Sequence, residues 1–131
     1  MTIAVDFDGT IVEHKYPDIG KEKPFAIQTL RTLQQEGNRI ILFTSREGEL
    51  LDDAVAYCHK KGLDFFAVSS NQPADALFPR HTAKVIADVY IDDKNLGGLP
   101  DWTEIYEIIN SQRAERHAAR KKRGWGLFRR K

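Results

Sequence analysis

Acidic and hydroxyl side chains stand directly after three short apolar segments of the chain. The first segment is followed by Asp6-Phe7-Asp8-Gly9-Thr10, the second by Thr44-Ser45-Arg46 and the third by Asp92-Asp93. If the apolar segments are strands of one parallel sheet, four carboxylates meet at the same rim. Like charges placed this near to one another are costly to bury without a cation. Oxygen ligands alone favour a hard ion, so the pattern predicts bound Mg²⁺.

The elements that must position these groups alternate between strand and helix patterns. The predicted strands are Thr2–Phe7, Arg39–Thr44, Asp64–Val68 and Val89–Asp92. The predicted helices run from Pro24 to just before Gly37, from Glu47 to Lys61, and onward from Asp101. Residues 69–82 are polar and turn-rich, which predicts a loop. The alternation predicts an α/β fold: a three-layer, Rossmann-like parallel sheet with helices on both faces.

The last helix and one aromatic residue carry finer expectations. Asp101 is predicted to cap this helix, with Glu104 placed as in a capping box. Its predicted buried face consists of Trp102, Ile105, Ile108 and Ile109. Phe25, just before the first helix, is predicted to lie in the core.

Length and composition restrict the class of protein. The 131 residues, 41% hydrophobic and 30% charged, suit one globular domain. No apolar stretch approaches the roughly 20 residues of a membrane-spanning helix, and the N-terminus lacks the pattern of a secretory signal. Cys58 is the only cysteine, so an intramolecular disulfide is impossible. These features favour a reducing, cytoplasmic setting.

The charge distribution divides the chain into two parts. Residues 113–131 hold nine Lys or Arg and one acid, a net charge of +8, which leaves −7 on residues 1–112. We therefore expect a catalytic core over residues 1–112 and a basic helical extension or tail over residues 113–131. The tail also carries aromatic residues, so it could contact a polyanion such as nucleic acid or an anionic membrane. The alternative is a solvated helix extension.

The ordered set of motifs resembles the haloacid dehalogenase-like (HAD) superfamily, whose members are mostly Mg²⁺-dependent phosphatases. The first family motif corresponds to Asp6-Phe7-Asp8-Gly9-Thr10 and the second to the strand that ends at Thr44. The third is a single lysine, placed at Lys84, and the fourth is the acidic pair Asp92-Asp93. The set covers residues 3–93, and its order at strand ends is more specific than any one motif.

The resemblance implies a role for each matching residue. Asp6 would attack phosphorus and form an aspartyl-phosphate, and Asp8 would protonate the leaving oxygen and then activate water. Mg²⁺ would lie between the Asp6 carboxylate, the Asp8 main-chain carbonyl and the acidic pair, with Asp93 as the direct ligand and Asp92 holding its waters. The substrate phosphate would be bound by Gly9, Thr44, Ser45 and Lys84.

The number of residues between the motifs restricts the kind of HAD protein that the chain can resemble. Residues 11–39 and 45–83 are too short to hold a cap domain, so the resemblance implies a capless, open site. Such a site suits a large phosphorylated substrate or closure by a partner subunit. The alternative functions are a nucleic-acid end phosphatase and a non-catalytic binding module that acts through the tail. Lys94 and Arg46 compete with Lys84 for the role of the third motif.

Overall fold

Four parallel strands and three helices make up the fold. The computed structural model describes residues 1–69 and 85–129, the last five of them as backbone only. The elements are β1 (Thr2–Val5), α1 (Ala26–Gln35), β2 (Arg39–Leu42), α2 (Gly48–Lys60), β3 (Ala67–Val68), β4 (Val89–Ile91) and α3 (Trp102–Arg129). The strand order is β3-β2-β1-β4. The predicted α/β class with a Rossmann-like parallel sheet is confirmed. The loop predicted for residues 69–82 lies, apart from Ser69, outside the described residues.

The register of the sheet brings the ends of its central strands to one level. Val5 at the end of β1 pairs with Leu42 of β2 on one side and with Ile91 of β4 on the other. The pairing continues for one residue, since the Asp6 amide donates to the Ile91 carbonyl at 3.0 Å. The polar residues that follow β1, β2 and β4 therefore leave the sheet at the same edge.

Side chains alternate between the two faces of the sheet. One face buries Ile3, Val5, Ile40 and Leu42 against apolar residues of all three helices. The other face buries Ala4, Ile41 and Ala67 against Val85, which lies on the connection between β3 and β4. This two-sided burial explains why the strands read as continuous apolar runs. Within the described ranges, the connections between strands contain no cap domain.

Two of the finer expectations are wrong. Phe25 is 61% exposed and has a left-handed backbone (φ 66°), so α1 begins after it at Ala26. Ile108 is 41% exposed, because the helix buries a narrower stripe that consists of Trp102, Ile105 and Ile109. The predicted cap of α3 is confirmed, since the Glu104 amide donates to the Asp101 carboxylate at 2.9 Å.

Helix α3 extends well beyond the core. Its first residue, Trp102, donates its indole N–H to the Thr10 carbonyl near the carboxyl ends of the strands. Further along, Arg116 pairs at 2.7 Å with Asp88, whose carboxylate also accepts the Thr2 amide at the amino end of β1. Residues 114–124 are exposed. The basic extension thus leaves the domain at the edge opposite to the polar strand ends. No helix in the described ranges combines the length and apolar composition needed to cross a membrane.

Candidate active site

Three carboxylates converge at the strand ends. Ligand oxygens of Asp6, Asp92 and Asp93 all lie within 4.8 Å of one another, and all three residues are half-buried. Asp6 continues β1, and Asp92 and Asp93 directly follow β4. Two adjacent parallel strands therefore place the acidic groups that the sequence predicts at one rim.

The turn after β1 is shaped by Gly9. The Phe7 carbonyl accepts the amides of the three residues that follow Gly9, at 2.9 to 3.3 Å. Gly9 has φ 81°, and a Cβ at this position would clash with the Asp93 carboxylate. Only glycine suits both the backbone and this close approach. The Gly9 amide itself donates to the Val12 carbonyl at 2.8 Å. The predicted role of this turn in binding the substrate phosphate stays a prediction.

Thr10 joins the turn to the acidic pair. Its side chain is fully buried, and its hydroxyl accepts the Asp93 amide at 3.1 Å. Its carbonyl accepts the indole N–H of Trp102, also at 3.1 Å. The first residue of α3 therefore fixes the position of Asp93 through Thr10. The sequence marks Thr10 only as the last residue of the first motif.

The electrostatics of the cluster favour a cation. The pKa of Asp6 is raised from 3.8 to about 7. Burial is the largest cause and the charges of Asp92, Asp93 and Asp8 add to it, while a hydrogen bond from the Phe7 amide acts in the opposite direction. Oδ1 of Asp93 is buried and has no hydrogen-bond partner among the described residues. A bound cation would satisfy this oxygen and stabilise the ionised form of Asp6. The residues present therefore fit a hard divalent ion.

The Asp8 carboxylate forms an ion pair with Arg46 and is not one of the three converging carboxylates. The Arg46 guanidinium donates from Nε to one Asp8 oxygen at 2.7 Å and from Nη2 to the other at 2.8 Å. The Arg46 side chain is 0% exposed and that of Asp8 is 12% exposed. This fork geometry is the strongest kind of carboxylate pairing. Sequence analysis identified Arg46 only as a nearby cation, because spacing alone does not show which carboxylate it meets.

A hairpin forms one wall of the site. Residues 11–13 pair with residues 21–23, since the Glu13 amide donates to the Lys21 carbonyl and the Lys23 amide to the Ile11 carbonyl. Residues 14–20 form the tip, and its Gly20 lies so close to the Glu13 carbonyl that a Cβ would clash. This hairpin is not recognisable from the sequence, because so short a pairing has no apolar alternation.

A cleft of about 470 Å³ contains the predicted residues Asp6, Asp8, Thr44, Ser45, Asp92 and Asp93. It is also lined by residues that the motifs do not include, namely His14, Tyr16, Phe43 and Lys94. The Thr44 hydroxyl accepts the Arg46 amide at 3.2 Å, which leaves its own proton free to be donated. A larger groove of about 820 Å³ lies between the starts of α1 and α3. None of the three converging carboxylates lines that groove.

The cations near the cleft have different surroundings. Arg46 forms its ion pair with Asp8. Lys94, in contrast, lines the cleft, its side chain is 82% exposed, and its Nζ lies 4.0 Å from the Asp93 carboxylate. Lys84 lies outside the described residues. Lys94 is therefore a described cation that can reach an anion in the cleft.

The fold and the site define an α/β protein with a parallel, Rossmann-like sheet and an acidic cluster at its carboxyl edge. The solved structure of a conserved protein from Bacteroides thetaiotaomicron is similar to this chain, with 54% sequence identity and a TM-score of 0.80. The similarity covers 86% of this chain and 91% of the other. The chain therefore belongs to the same family as that conserved protein. No protein-family model and no curated protein matches the chain.

Without a divalent cation, the protein should lose stability relative to its Asp6→Asn variant as the pH rises. The pKa of Asp6 is raised from 3.8 to about 7, so the folded state keeps a proton that the unfolded chain releases above its own pKa. That contribution to stability is complete below the unfolded pKa and is lost as the pH passes the folded pKa. Thermal unfolding of both proteins in chelator, from about pH 5 to about pH 8, measures the difference. A constant difference in Tm across this range would contradict the raised pKa.

Proposed function

We propose that the protein is a Mg²⁺-dependent phosphomonoester hydrolase that acts through an aspartyl-phosphate. The observation that carries this proposal is the convergence of Asp6 with Asp92 and Asp93, where a buried oxygen of Asp93 has no described partner. The order of the motifs, which resembles that of the HAD superfamily, supports the same chemistry. The hydroxyl of Thr44, after the neighbouring strand, lies in the same cleft and could donate a hydrogen bond to a phosphoryl oxygen.

The metal would be held by the carboxylates of Asp6 and Asp93 and by the main-chain carbonyl of Asp8, with Asp92 orienting its waters. When bound, the ion would screen the repulsion between an anionic nucleophile and an anionic substrate. The raised pKa of Asp6 supports this role for the ion, because a protonated Asp6 is a poor nucleophile and a nearby cation favours the ionised form.

Two displacements at phosphorus make up the proposed reaction. A carboxylate oxygen of Asp6 forms a bond to phosphorus while the bond from phosphorus to the ester oxygen breaks, and Asp8 supplies the proton to the departing oxygen. Water then attacks the same phosphorus, loses its proton to Asp8 and releases Asp6 and inorganic phosphate. Each Asp8 oxygen accepts one bond from Arg46 and keeps a second lone pair. On this lone pair Asp8 would carry the proton taken from water in one cycle and give it to the departing oxygen in the next.

The open cleft favours a substrate that extends beyond its phosphate group. Thr44 and Ser45 would bind phosphoryl oxygens, and Lys94, or Lys84 in the role that the motif assigns, would balance their charge. Tyr16 and Phe43, which are 51% and 39% exposed, would contact the rest of the substrate. We also propose a cytoplasmic setting, since the single cysteine, Cys58, cannot form an intramolecular disulfide.

The position of the tail separates it from the proposed chemistry. The basic extension of α3 leaves the domain beside Asp88, at the amino edge of the sheet, whereas the cleft lies at the carboxyl edge. Contact between the tail and a substrate end in the cleft would require the substrate to cross the whole sheet. This placement gives no support to a nucleic-acid end phosphatase. It favours a separate polyanion contact for residues 113–131, of which residues 114–124 are exposed.

Asp6→Asn should abolish turnover of a small aryl phosphate. The amide is nearly isosteric but cannot act as an anionic nucleophile, so we expect a loss of at least roughly a thousandfold in kcat. Steady-state kinetics, with circular dichroism as the control for folding, check this. Turnover within about tenfold of the parent would show that Asp6 is not the nucleophile.

Hydrolysis should require a divalent cation, with Mg²⁺ effective and Ca²⁺ poor. Ca²⁺ takes more ligands at longer and looser distances, which would misplace Asp6 relative to phosphorus. Titration of chelator-treated protein with each ion measures the requirement. Full activity in excess chelator would remove the metal from this mechanism.

Deletion of residues 113–131 should leave hydrolysis of the small substrate within about threefold of the parent. The reason is that Arg116 places the described part of the tail beside Asp88, at the edge of the sheet opposite to the cleft. The same deletion should remove binding of a single-stranded oligonucleotide or of anionic vesicles, and the intact protein should bind less tightly as salt rises. Binding that does not respond to salt, or no binding at low salt, would identify the tail as a solvated extension. Loss of hydrolysis would show that the tail helps to build the site.

A further inference from the structure

Arg46 is an unusual residue for an interior, because its charge is fully enclosed. The residue is only 2% exposed, and five hydrogen-bond acceptors surround its guanidinium group. Besides the two oxygens of Asp8, they are the carbonyls of Pro17 at 3.3 Å, Leu50 at 3.3 Å and Asp18 at 2.9 Å. A guanidinium group has five N–H donors, so every donor has an acceptor. Such complete pairing is what makes a buried charge tolerable.

The acceptors belong to three separate parts of the site. Asp8 is the proposed acid–base residue, Pro17 and Asp18 lie in the hairpin tip (residues 14–20), and Leu50 lies in the first turn of α2. The guanidinium carbon also lies 5.2 Å from the ring centres of Phe7 and Tyr16. Tyr16 and His14 of the same tip line the cleft. One side chain therefore joins the acid–base residue to the wall of the cleft.

We propose that Arg46 is a positioning residue that fixes Asp8 and the hairpin tip as one rigid unit at the cleft. The kinetic part of this proposal rests on the hydrolase function proposed above, whereas the structural part does not. Lysine cannot replace Arg46, since it has three donors and no planar fork that matches a carboxylate. In the absence of this guanidinium, Asp8 can rotate away from the leaving oxygen, and the tip loses its bonds from Arg46 to the carbonyls of Pro17 and Asp18.

Two variants and a matched control test the proposal. Arg46→Met removes the charge and the donors, and Arg46→Lys keeps the charge if the first variant folds poorly. Arg39→Met is the control, because Arg39 is exposed and contacts the Phe66 ring away from the cleft. Trypsin cleavage after Lys15, which is exposed in the tip, reports the rigidity of the tip by mass spectrometry without any need for turnover.

We expect both Arg46 variants to be cleaved after Lys15 at least about tenfold faster than the parent, and the control to be unchanged. The kcat for a small aryl phosphate should fall about a hundredfold, whereas the Mg²⁺ concentration for half-maximal activity should stay within about threefold, because Asp6, Asp92 and Asp93 are intact. In an Asp8→Asn background, Arg46→Met should still speed cleavage but should lower kcat by less than about threefold. This double variant also leaves no unpaired buried charge.

The outcomes separate the two proposals. Unchanged cleavage in folded Arg46 variants, or a kcat loss that is additive with Asp8→Asn, would overturn the positioning role. Loss of Mg²⁺ dependence in Arg46→Met would overturn it as well, since Arg46 would then act on the metal cluster. If the parent shows no turnover that Asp6→Asn removes, the hydrolase proposal fails and the cleavage measurement alone decides whether Arg46 holds the tip.

Discussion

Repulsion among carboxylates at one rim of the sheet is the constraint that organises this molecule. In-register parallel strands bring Asp6 beside Asp92 and Asp93, and Asp8 lies only two residues further along the chain. The protein resolves the repulsion in two different ways. Asp8 is neutralised internally by Arg46, while the other three carboxylates have no described basic partner closer than Lys94, at 4.0 Å from Asp93.

This division of charge gives each carboxylate a different chemical character. The pairing with Arg46 keeps Asp8 in place and buries it with its counter-ion. Burial raises the pKa of Asp6, so binding of the proposed cation would be coupled to ionisation of the proposed nucleophile. Gly9 and Thr10 make this arrangement sterically possible, since the first admits the Asp93 carboxylate and the second holds its amide.

The parts that sequence predicts well are those that depend on local pattern. Apolar runs followed by polar residues located the strand ends, and the Asp101 cap followed from helix capping chemistry. The predictions for Phe25 and Ile108 were wrong because the hydrophobicity of a residue does not show whether another element packs against it. The partner of Arg46 was missed for a related reason. Its acceptors are spread from Asp8 to Leu50, and only the folded chain brings them together.

Helix α3 connects the two ends of the domain but keeps them chemically apart. At its start, Trp102 supports the turn that positions Asp93, through the carbonyl of Thr10. Its basic extension passes Asp88 at the amino edge of the sheet, where Arg113, Arg116 and Arg120 lower the pKa of the N-terminal amine, although burial lowers it most. Charges at that edge are separated from the carboxylate cluster by the length of the sheet, and solvent ions screen exposed charges beyond about 10 Å. The tail can therefore carry a strong positive charge without acting as the counter-ion of the acidic site. Among the described residues, Lys94 is the lysine that lines the cleft, and the proposed cation would supply the remaining positive charge.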